Sequence, residues 1–421
     1  MKILIYGINF SPELTGIGKY TGEMAEWLAS KGHAVRVICA PPYYPEWRVA
    51  EAYQGRNYFN ERLNGVDVYR CPLYVPKSPR AGSRLLHLLS FSLSSAPVLL
   101  KQLFFKPDVV MVVQPTFFCV PSALLFCKLS GAKSILHIQD FELDAMLGLG
   151  MAKHGWLSKF LYAIESALMR QMDMVSSISD SMSVKAQEKS RYSVPAHVFP
   201  NWVDIDFINP WVQTELYHLQ WAIPNQAQVV LYSGNLGKKQ GLEMLIKAAH
   251  LLSEQNIVFF IFGDGVERQA LIDYANLLDL RNVRFEPLQP YKDLPALMLL
   301  ADVHVVMQKR GVADLVMPSK LTTILSAGGH ALITAEPDTE LGSLCSKYPG
   351  IAECVEPENL DQFLTALSRM LLATKNGKPK INMVARDYAM TKLNKQIVLE
   401  QFEAILQDLS GERVAIKPFS A

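Results

Sequence analysis

The chain has 421 residues, 50% of them hydrophobic and 19% charged, with 24 glycines and 24 prolines scattered along it. That profile excludes a disordered tail, a collagen-like fibre and a single small module, and at roughly 150 residues per domain it predicts two or three domains. With 41 basic against 40 acidic side chains the net charge is +1, which excludes a dedicated nucleic-acid binder, whose phosphate contacts demand a large basic excess.

The near-neutral sum hides a split. Residues 1–209 carry 21 basic and 17 acidic side chains, whereas residues 210–421 carry 20 and 23. Cys39, Cys71, Cys119, Cys127, Cys345 and Cys354 show no C-x-x-C spacing. They read as reduced, apolar residues of a cytosolic protein rather than as zinc or redox ligands. Lys2 is followed only by Ile3-Leu4-Ile5-Tyr6-Gly7, too short for the core of an export signal.

In chain order, short apolar runs rich in β-branched residues alternate with helical stretches, the pattern of parallel strands covered on both faces. Strands are predicted at Lys2–Tyr6, Val35–Cys39, Val109–Val113, Ser134–Ile138 and Met174–Ile178, with a helix at Tyr20–Ser30 that stops at Gly32. The uncharged run from Val109 to Cys127 has nearly the length of a membrane span, but Pro115 and Pro121 interrupt it. A buried strand, a turn and a core helix are the expected outcome.

The pattern breaks at Phe199-Pro200-Asn201-Trp202-Val203-Asp204 and resumes with predicted strands at Val229–Tyr232, Ile257–Phe262, Val283–Phe285, Val303–Val306 and Ala331–Thr334. Helices are predicted at Leu242–Leu252, Glu267–Leu278, Leu321–Ala327, Leu360–Ala373 and Asn394–Leu409. The expectation is an α/β protein of two doubly wound, Rossmann-like domains facing a central cleft, divided as 1–209, 210–390 and a C-terminal helix in 391–421 that packs back toward the first domain.

Several turns carry chemistry. The first βα turn holds Gly16-Ile17-Gly18-Lys19, which fits neither a dinucleotide fingerprint, since Gly22 comes too late, nor a Walker loop, since Tyr20 follows the lysine. A plain turn and a phosphate contact stay open there. Gly234-Asn235-Leu236-Gly237-Lys238-Lys239-Gln240-Gly241, Gly263-Asp264-Gly265 and Pro318-Ser319-Lys320-Leu321 each join a strand or loop to a helix. Three such turns in one half suggest a nucleotide diphosphate. Asp204-Ile205-Asp206 has a D-x-D spacing but lacks further ligands for a cation. Gln139-Asp140, Glu142 and Asp144 follow a predicted strand and are either catalytic carboxylates or an acid-rich helix start.

From residue 68 to 107 there is no acid, but there are Arg70, Lys77, Arg80, Arg84, Lys101 and Lys106 among many leucines and phenylalanines. Such a segment suits an anionic bilayer surface or a buried helix with basic ends.

Together the motifs resemble the family 4 retaining glycosyltransferases, which have the GT-B fold. The resemblance rests on Pro12…Gly16-Ile17-Gly18, Pro200-Asn201-Trp202-Val203-Asp204, Gly234…Gly241, Gly263-Asp264-Gly265 with Arg268, Ala301-Asp302-Val303 and Pro318-Ser319-Lys320. The longer strings Tyr6–Glu23 and Ala40-Pro41-Pro42-Tyr43-Tyr44-Pro45 are similar to glycosyltransferases of colanic acid, an exopolysaccharide. The resemblance implies transfer of a sugar from a nucleotide donor, with GDP-fucose expected because colanic acid contains fucose, and a UDP-hexose next. It also implies a polyprenyl-diphosphate-linked saccharide acceptor, retention of configuration, no cofactor and no obligatory metal, at the inner face of the plasma membrane. A nucleotide-sugar epimerase of the same architecture and a non-catalytic nucleotide-sugar-binding protein are the alternatives.

The expected catalytic residues are Asp140 and Lys320. Donor contacts are expected from Gly16, Gly18, Gly234, Asn235, Lys238, Lys239, Gly263, Asp264, Gly265, Ser319, Lys320 and Thr323, and membrane or acceptor contacts from Arg80, Arg84 and Lys101. The chain departs from the family pattern at Gln139, where a histidine is usual, at Asn235 and Gln240, where the phosphate-binding arginine and lysine are usual, and at Leu315 and Thr323, where paired glutamates are usual.

Overall fold

A computed structural model describes residues 1–13, 16–77, 81–144, 155–212, 220–311, 317–375 and 380–411. The chain divides into two units, one of Met1–Pro200 with Leu399 onward, the other of Asn201–Val398. Arg80 and Leu315 lie outside the described residues.

The first unit is built on an eight-stranded sheet of order β3-β4-β2-β1-β5-β6-β7-β8. Its strands are β1 (Lys2–Gly7), β2 (Ala34–Cys39), β3 (Phe59–Leu63), β4 (Val66–Arg70), β5 (Val109–Val113), β6 (Lys133–Ile138), β7 (Met174–Ser177) and β8 (Ala196–Val198). Every pairing is parallel except β3 with β4. All five residues of β5 are buried, as a central parallel strand covered on both faces requires. The run after it forms a turn and the helix Val120–Ser130, which takes a proline in its first turn and ends at Gly131 with φ 77°. Proline costs nothing there because that N–H has no intrahelical partner, and glycine accepts the left-handed cap.

The antiparallel β3–β4 pair escapes the sequence patterns used above. Its residues alternate rather than run apolar, and the signal is the Asn64-Gly65 turn, whose φ values of 47° and 86° suit a tight hairpin. The acid-free segment holds the helix Ala81–Lys101. Leu88, Phe91, Ser95 and Leu99 face the core, and Tyr6 Oη pairs with Ser95 Oγ at 2.7 Å. Leu86, Leu93 and Leu100, with Phe104 beyond the helix, remain exposed. Gly82–Phe104 is long and apolar enough to cross a membrane by length and composition, yet its inner face is packed into this unit.

The second unit is a six-stranded parallel sheet of order β11-β10-β9-β12-β13-β14. Its strands are β9 (Gln228–Ser233), β10 (Ile257–Phe262), β11 (Val283–Glu286), β12 (Val303–Val306), β13 (Ala331–Thr334) and β14 (Glu353–Val355). Alternation along β9 and β10 feeds two cores. Val229, Leu231, Val258 and Phe260 pack on one face, and Val230, Tyr232, Phe259 and Ile261 on the other.

The boundary expected at 209/210 moves to Pro200/Asn201. The physical reason is that residues 201–209 are tied into the second unit. Val203 N–H donates to Leu393 O at 2.8 Å, and the buried Arg386 donates from Nη1 to Ile208 O at 3.0 Å and from Nη2 to Ile205 O at 3.0 Å. Likewise 391–398 belong to the second unit. From Leu399 the helix Lys395–Ser410 packs within the first unit, where Phe402 stacks on Phe199 at 3.8 Å and Glu403 meets His33 at 2.7 Å.

Candidate active site

In the first unit the strand order reverses between β1 and β5, and loops after those strands leave a cavity of about 210 Å³. Such a switch point at the carboxyl ends of parallel strands is where doubly wound sheets bind ligands. Asn9, Gly16 and Ile17 reach the cavity from the β1 loop, Tyr43, Tyr44 and Trp47 from the β2 loop, and Pro115 from the β5 loop. Asp140 and Glu142 enter after β6, and Arg84, His87 and Leu88 from the helix Ala81–Lys101.

The β1 and β2 loops are held by a buried carboxylate. Glu13 accepts from Asn9 Nδ2 at 3.0 Å and from the Tyr43 and Tyr44 N–H groups at 3.1 Å each. Burial raises its pKa against the pull of those donors. Gly18 is glycine for this reason, since a Cβ there would lie 2.4 Å from Glu13 Oε2. Arg70, with a fully buried side chain, donates to Glu61 at 2.7 Å and to Ala40 O at 2.9 Å, and its other amino group holds Ser11 O. The β2 loop turns through Trp47 at φ 51°, an uncommon conformation for a bulky residue. The Trp47 ring packs on Tyr43 at 5.8 Å and His87 at 5.4 Å, with the Arg84 guanidinium 5.8 Å from its centroid.

Two polar groups in this wall are incompletely satisfied. Glu142 accepts from Phe117 N–H through Oε2 at 3.2 Å, but its Oε1 has no partner among the described residues. Burial pushes its pKa up to about 8, helped by Asp140 and opposed by Arg84. His87 Nδ1 donates to Tyr74 O at 2.5 Å, and Nε2 has no partner among the described residues. Burial lowers the His87 pKa, and Arg84 adds to that. The ring is therefore neutral with an open lone pair on Nε2.

In the second unit the glycine turns touch each other. Gly234, Gly263 and Gly265 have φ of 142°, 154° and 155°. A Cβ on Gly263 would fall 1.9 Å from Gly234 O, and one on Gly265 2.5 Å from Leu236 O. These glycines permit backbone-to-backbone packing between the loops after β9 and β10, sealed by Gly234 N–H to Phe262 O at 2.9 Å and Leu236 N–H to Asp264 O at 2.8 Å.

Lys320 is the second residue of the helix Ser319–Ser326. Its Nζ donates to Tyr232 Oη at 3.0 Å and lies 4.1 Å from the Tyr232 ring centroid. Tyr232 Oη donates in turn to Asn235 O at 2.8 Å. A Cβ at Gly234 would come 3.2 Å from Lys320 Nζ. An ammonium, a glycine turn and a helix N-terminus thus converge, which suits a phosphate group.

The other expected residues scatter around this point. Ser319 and Asp264 are exposed, and Thr323 Oγ1 donates to Ser319 O at 3.2 Å. Lys238 and Lys239 sit exposed in a 3₁₀ turn, where Lys239 O accepts from Lys309 N–H at 2.9 Å. Asp140 lies in the first unit and Lys320 in the second. Arg84 lies beside the aromatic cavity while Lys101 is exposed at the opposite end of the same helix, about 25 Å along the axis. Those two bases do not form one patch. Asp204 and Asp206 close a local turn in which Asp204 Oδ1 accepts from Asp206 N–H at 3.2 Å and Phe207 N–H at 3.0 Å. Glu13, Trp47 and His87 escaped the sequence reading. The Tyr-Tyr-Pro-Glu-Trp string after β2 was the available signal for the aromatic wall.

Residues 15–202 match the family described as Glycosyl transferase 4-like domain, and residues 213–375 match Glycosyl transferases group 1. The chain is 50% identical over 416 residues, covering 98% of it and 100% of the relative, to WcaI of Escherichia coli (strain K12), assigned as a colanic acid biosynthesis glycosyl transferase. Among solved structures it is similar to sucrose-phosphate synthase from Thermosynechococcus elongatus, with TM-score 0.70 at 13% identity over 98% of this chain and 100% of that one. HepE of Anabaena, solved in complex with UDP, has TM-score 0.69 at 14% identity over 97% and 100%. The second unit's strand order, the paired units and these matches agree on the GT-B fold. On the strength of the half-identical, full-length match to WcaI, this chain belongs to the glycosyltransferases.

Proposed function

We propose that the protein transfers a sugar from a nucleoside-diphosphate donor to a hydroxyl of a polyprenyl-diphosphate-linked saccharide in colanic acid assembly, with retention and without an obligatory metal. The observation that carries the donor side is Lys320 set beside Gly234 and Tyr232 at a helix start. Support from relatives comes from HepE, solved with UDP and with UDP-glucose, and from the colanic acid assignment of WcaI. GDP-fucose is the first donor to test and a UDP-hexose the second.

In the reaction the bond from the anomeric carbon to the diphosphate oxygen breaks, and its electron pair stays on the diphosphate. A bond forms from the acceptor oxygen to that carbon, and the hydroxyl proton goes to the departing diphosphate. Negative charge therefore grows on the leaving group. A prearranged ammonium and helix N-terminus at that position lower the barrier because they need no reorganisation. Lys238 and Lys239 add charge from the rim. In the first unit Asp140, at the mouth of the aromatic cavity, is assigned to the sugar side of the reaction. Exposed Leu86, Leu93, Leu100 and Phe104, with Lys101, provide contact with the inner face of the plasma membrane that carries the acceptor.

The test is nucleotide release by purified protein across GDP- and UDP-sugars, with and without a lipid-linked saccharide. Acceptor-dependent release from one donor is expected. Donor consumed equally without acceptor would indicate an epimerase or hydrolase instead, and donor bound without release from any would indicate a binding protein.

A further inference from the structure

Spacing along the chain pairs none of the six cysteines, but the fold of the second unit pairs two of them. Cys345 sits on the helix Glu340–Lys347 and Cys354 in the middle of β14. The Cys345 thiol is hydrogen-bonded to Cys354 Sγ, and Cys354 Sγ reaches Ala335 O at 3.8 Å. Both residues are half-buried, and both line a surface cavity of about 420 Å³. Their backbones are held independently. Cys354 lies opposite Ile333 in the β13–β14 ladder, and the helix is capped by Thr339 Oγ1, which accepts from Gly342 N–H at 3.2 Å. Leu341 and Leu344 of that helix pack into the same core as Ile333 and Ile351.

The other four thiols differ from this pair in both access and ionisation. Cys39, Cys71, Cys119 and Cys127 are buried, and burial pushes all four thiols up, Cys39 to about 11 and Cys119 and Cys127 to about 12. The thiolate is the attacking form of cysteine, so those four are inert. At Cys354 the hydrogen bond from Cys345 holds the thiol below its ordinary range. The same bond, with burial, raises Cys345. One sulfur therefore ionises at a cavity wall while its neighbour keeps a proton, the arrangement of an attacking and a resolving thiol. Two carboxylates share the cavity, but Glu353 pairs with Arg369 and Glu356 with Arg310 at 3.6 Å, so neither opposes an incoming reagent as a bare charge. Two sulfurs do not close a metal site, and no group of three or more His, Cys, Asp or Glu side chains suited to a metal ion occurs among the described residues.

We propose that Cys345 and Cys354 form a reversible dithiol–disulfide site, which a low-molecular-weight disulfide oxidises through attack by Cys354 and resolution by Cys345. First the Cys354 thiolate attacks one sulfur of the reagent. A mixed disulfide forms as the reagent's S–S bond breaks, and one thiolate leaves with the electron pair. Cys345, losing its proton, then attacks Cys354 Sγ and expels the second thiolate. Two protein thiols are thereby oxidised to one disulfide, the reagent is reduced to two thiols, and two protons pass from the protein to them. Oxidation ties the helix Glu340–Lys347 covalently to β14. The site does not depend on the transferase reading above.

The experiment exposes the reduced, folded, full-length protein to oxidised glutathione, quenches at intervals with acid and an alkylating agent, and maps the peptides without reduction by mass spectrometry. Trypsin cuts at Lys347, between the two cysteines, so the disulfide joins two peptides that are otherwise separate. A Cys345–Cys354 link is expected to appear about tenfold or more faster than any modification of Cys39, Cys71, Cys119 or Cys127, and dithiothreitol should reverse it. Cys345→Ser, which keeps a hydroxyl donor beside Cys354, should trap a lasting glutathione adduct on Cys354. Cys354→Ser should gain an adduct on Cys345 about tenfold more slowly. No Cys345–Cys354 link, a link through one of the other four cysteines, buried thiols reacting as fast, or faster adduct formation in Cys354→Ser than in Cys345→Ser would overturn the proposal. Should a variant fail to fold, the map of the unaltered protein still decides.

Discussion

The two units put opposite chemistry at the same place in the same kind of sheet. In the first, glycine makes room for a buried acid: Gly18 yields to Glu13, and the strand ends surround a cavity of aromatic rings with two further carboxyls. In the second, glycines let two backbone turns press together, and an ammonium closes over them. A glycine-rich turn after a parallel strand is therefore not one signal. Its meaning depends on what fills the space that the missing Cβ leaves, an acid in one unit and a peptide oxygen or lysine in the other.

The sharpest way to break this contrast is at Lys320. Lys320→Ala should lower turnover ~10²-fold or more with the fold intact, as loss of a donor aimed at developing charge does. Unchanged turnover would remove the second unit's claim to the leaving group. Next comes Gly263→Ala, where a Cβ would fall 1.9 Å from Gly234 O at φ 154°. The second unit should lose more than ~2 kcal/mol in denaturant unfolding, with the first unit unaffected. Tolerance of alanine would mean that the turns are not in contact.

A smaller effect concerns pH. The Glu142 pKa is raised from 4.5 to about 8, so the folded protein holds a proton that the unfolded chain has released. Stability contributed by the neutral acid is full below about 4.5 and falls as pH climbs toward about 8. Glu13 and Glu165 are raised as well and act in the same sense. His137 works from the other side. Burial lowers its pKa from 6.5 to about 3, so stability falls as pH drops through that window. Glu142→Gln should flatten the alkaline decline of the melting temperature and leave the acid limb in place. An unaltered decline would show that Glu142 ionises normally. The smallest effect is expected at Lys238, exposed on the rim, where alanine should cost no more than about threefold in donor affinity and less at high salt.

Much of the architecture was legible. Val109–Val113 and Ile257–Phe262 are continuous apolar runs, Val303–Val306 and Ala331–Thr334 are apolar but for His304 and Thr334, and the strands begin and end where those runs do. The β3–β4 hairpin was not, because three of the five residues Phe59-Asn60-Glu61-Arg62-Leu63 are polar or charged and an edge pair needs only one apolar face. Around the candidate site, the strand-end rule pointed to Asp140 and Glu142, which line the first unit's cavity, and the glycine turns pointed to Lys320, which lies beside Tyr232. It could not find His87, whose partner Tyr74 O and neighbour Trp47 come from distant loops. Nor could spacing tell that Gly263 is glycine because of Gly234, a contact made only once β9 and β10 lie side by side.

The division of labour between the units is tested most directly by calorimetric titration of UDP and GDP into the unaltered protein, Lys320→Ala and Glu142→Ala. The account predicts that at least one nucleotide binds, that Lys320→Ala weakens it about 10-fold or more, as loss of a charged hydrogen bond does, and that Glu142→Ala leaves it unchanged. Nucleotide affinity that falls with Glu142→Ala and survives Lys320→Ala would contradict it.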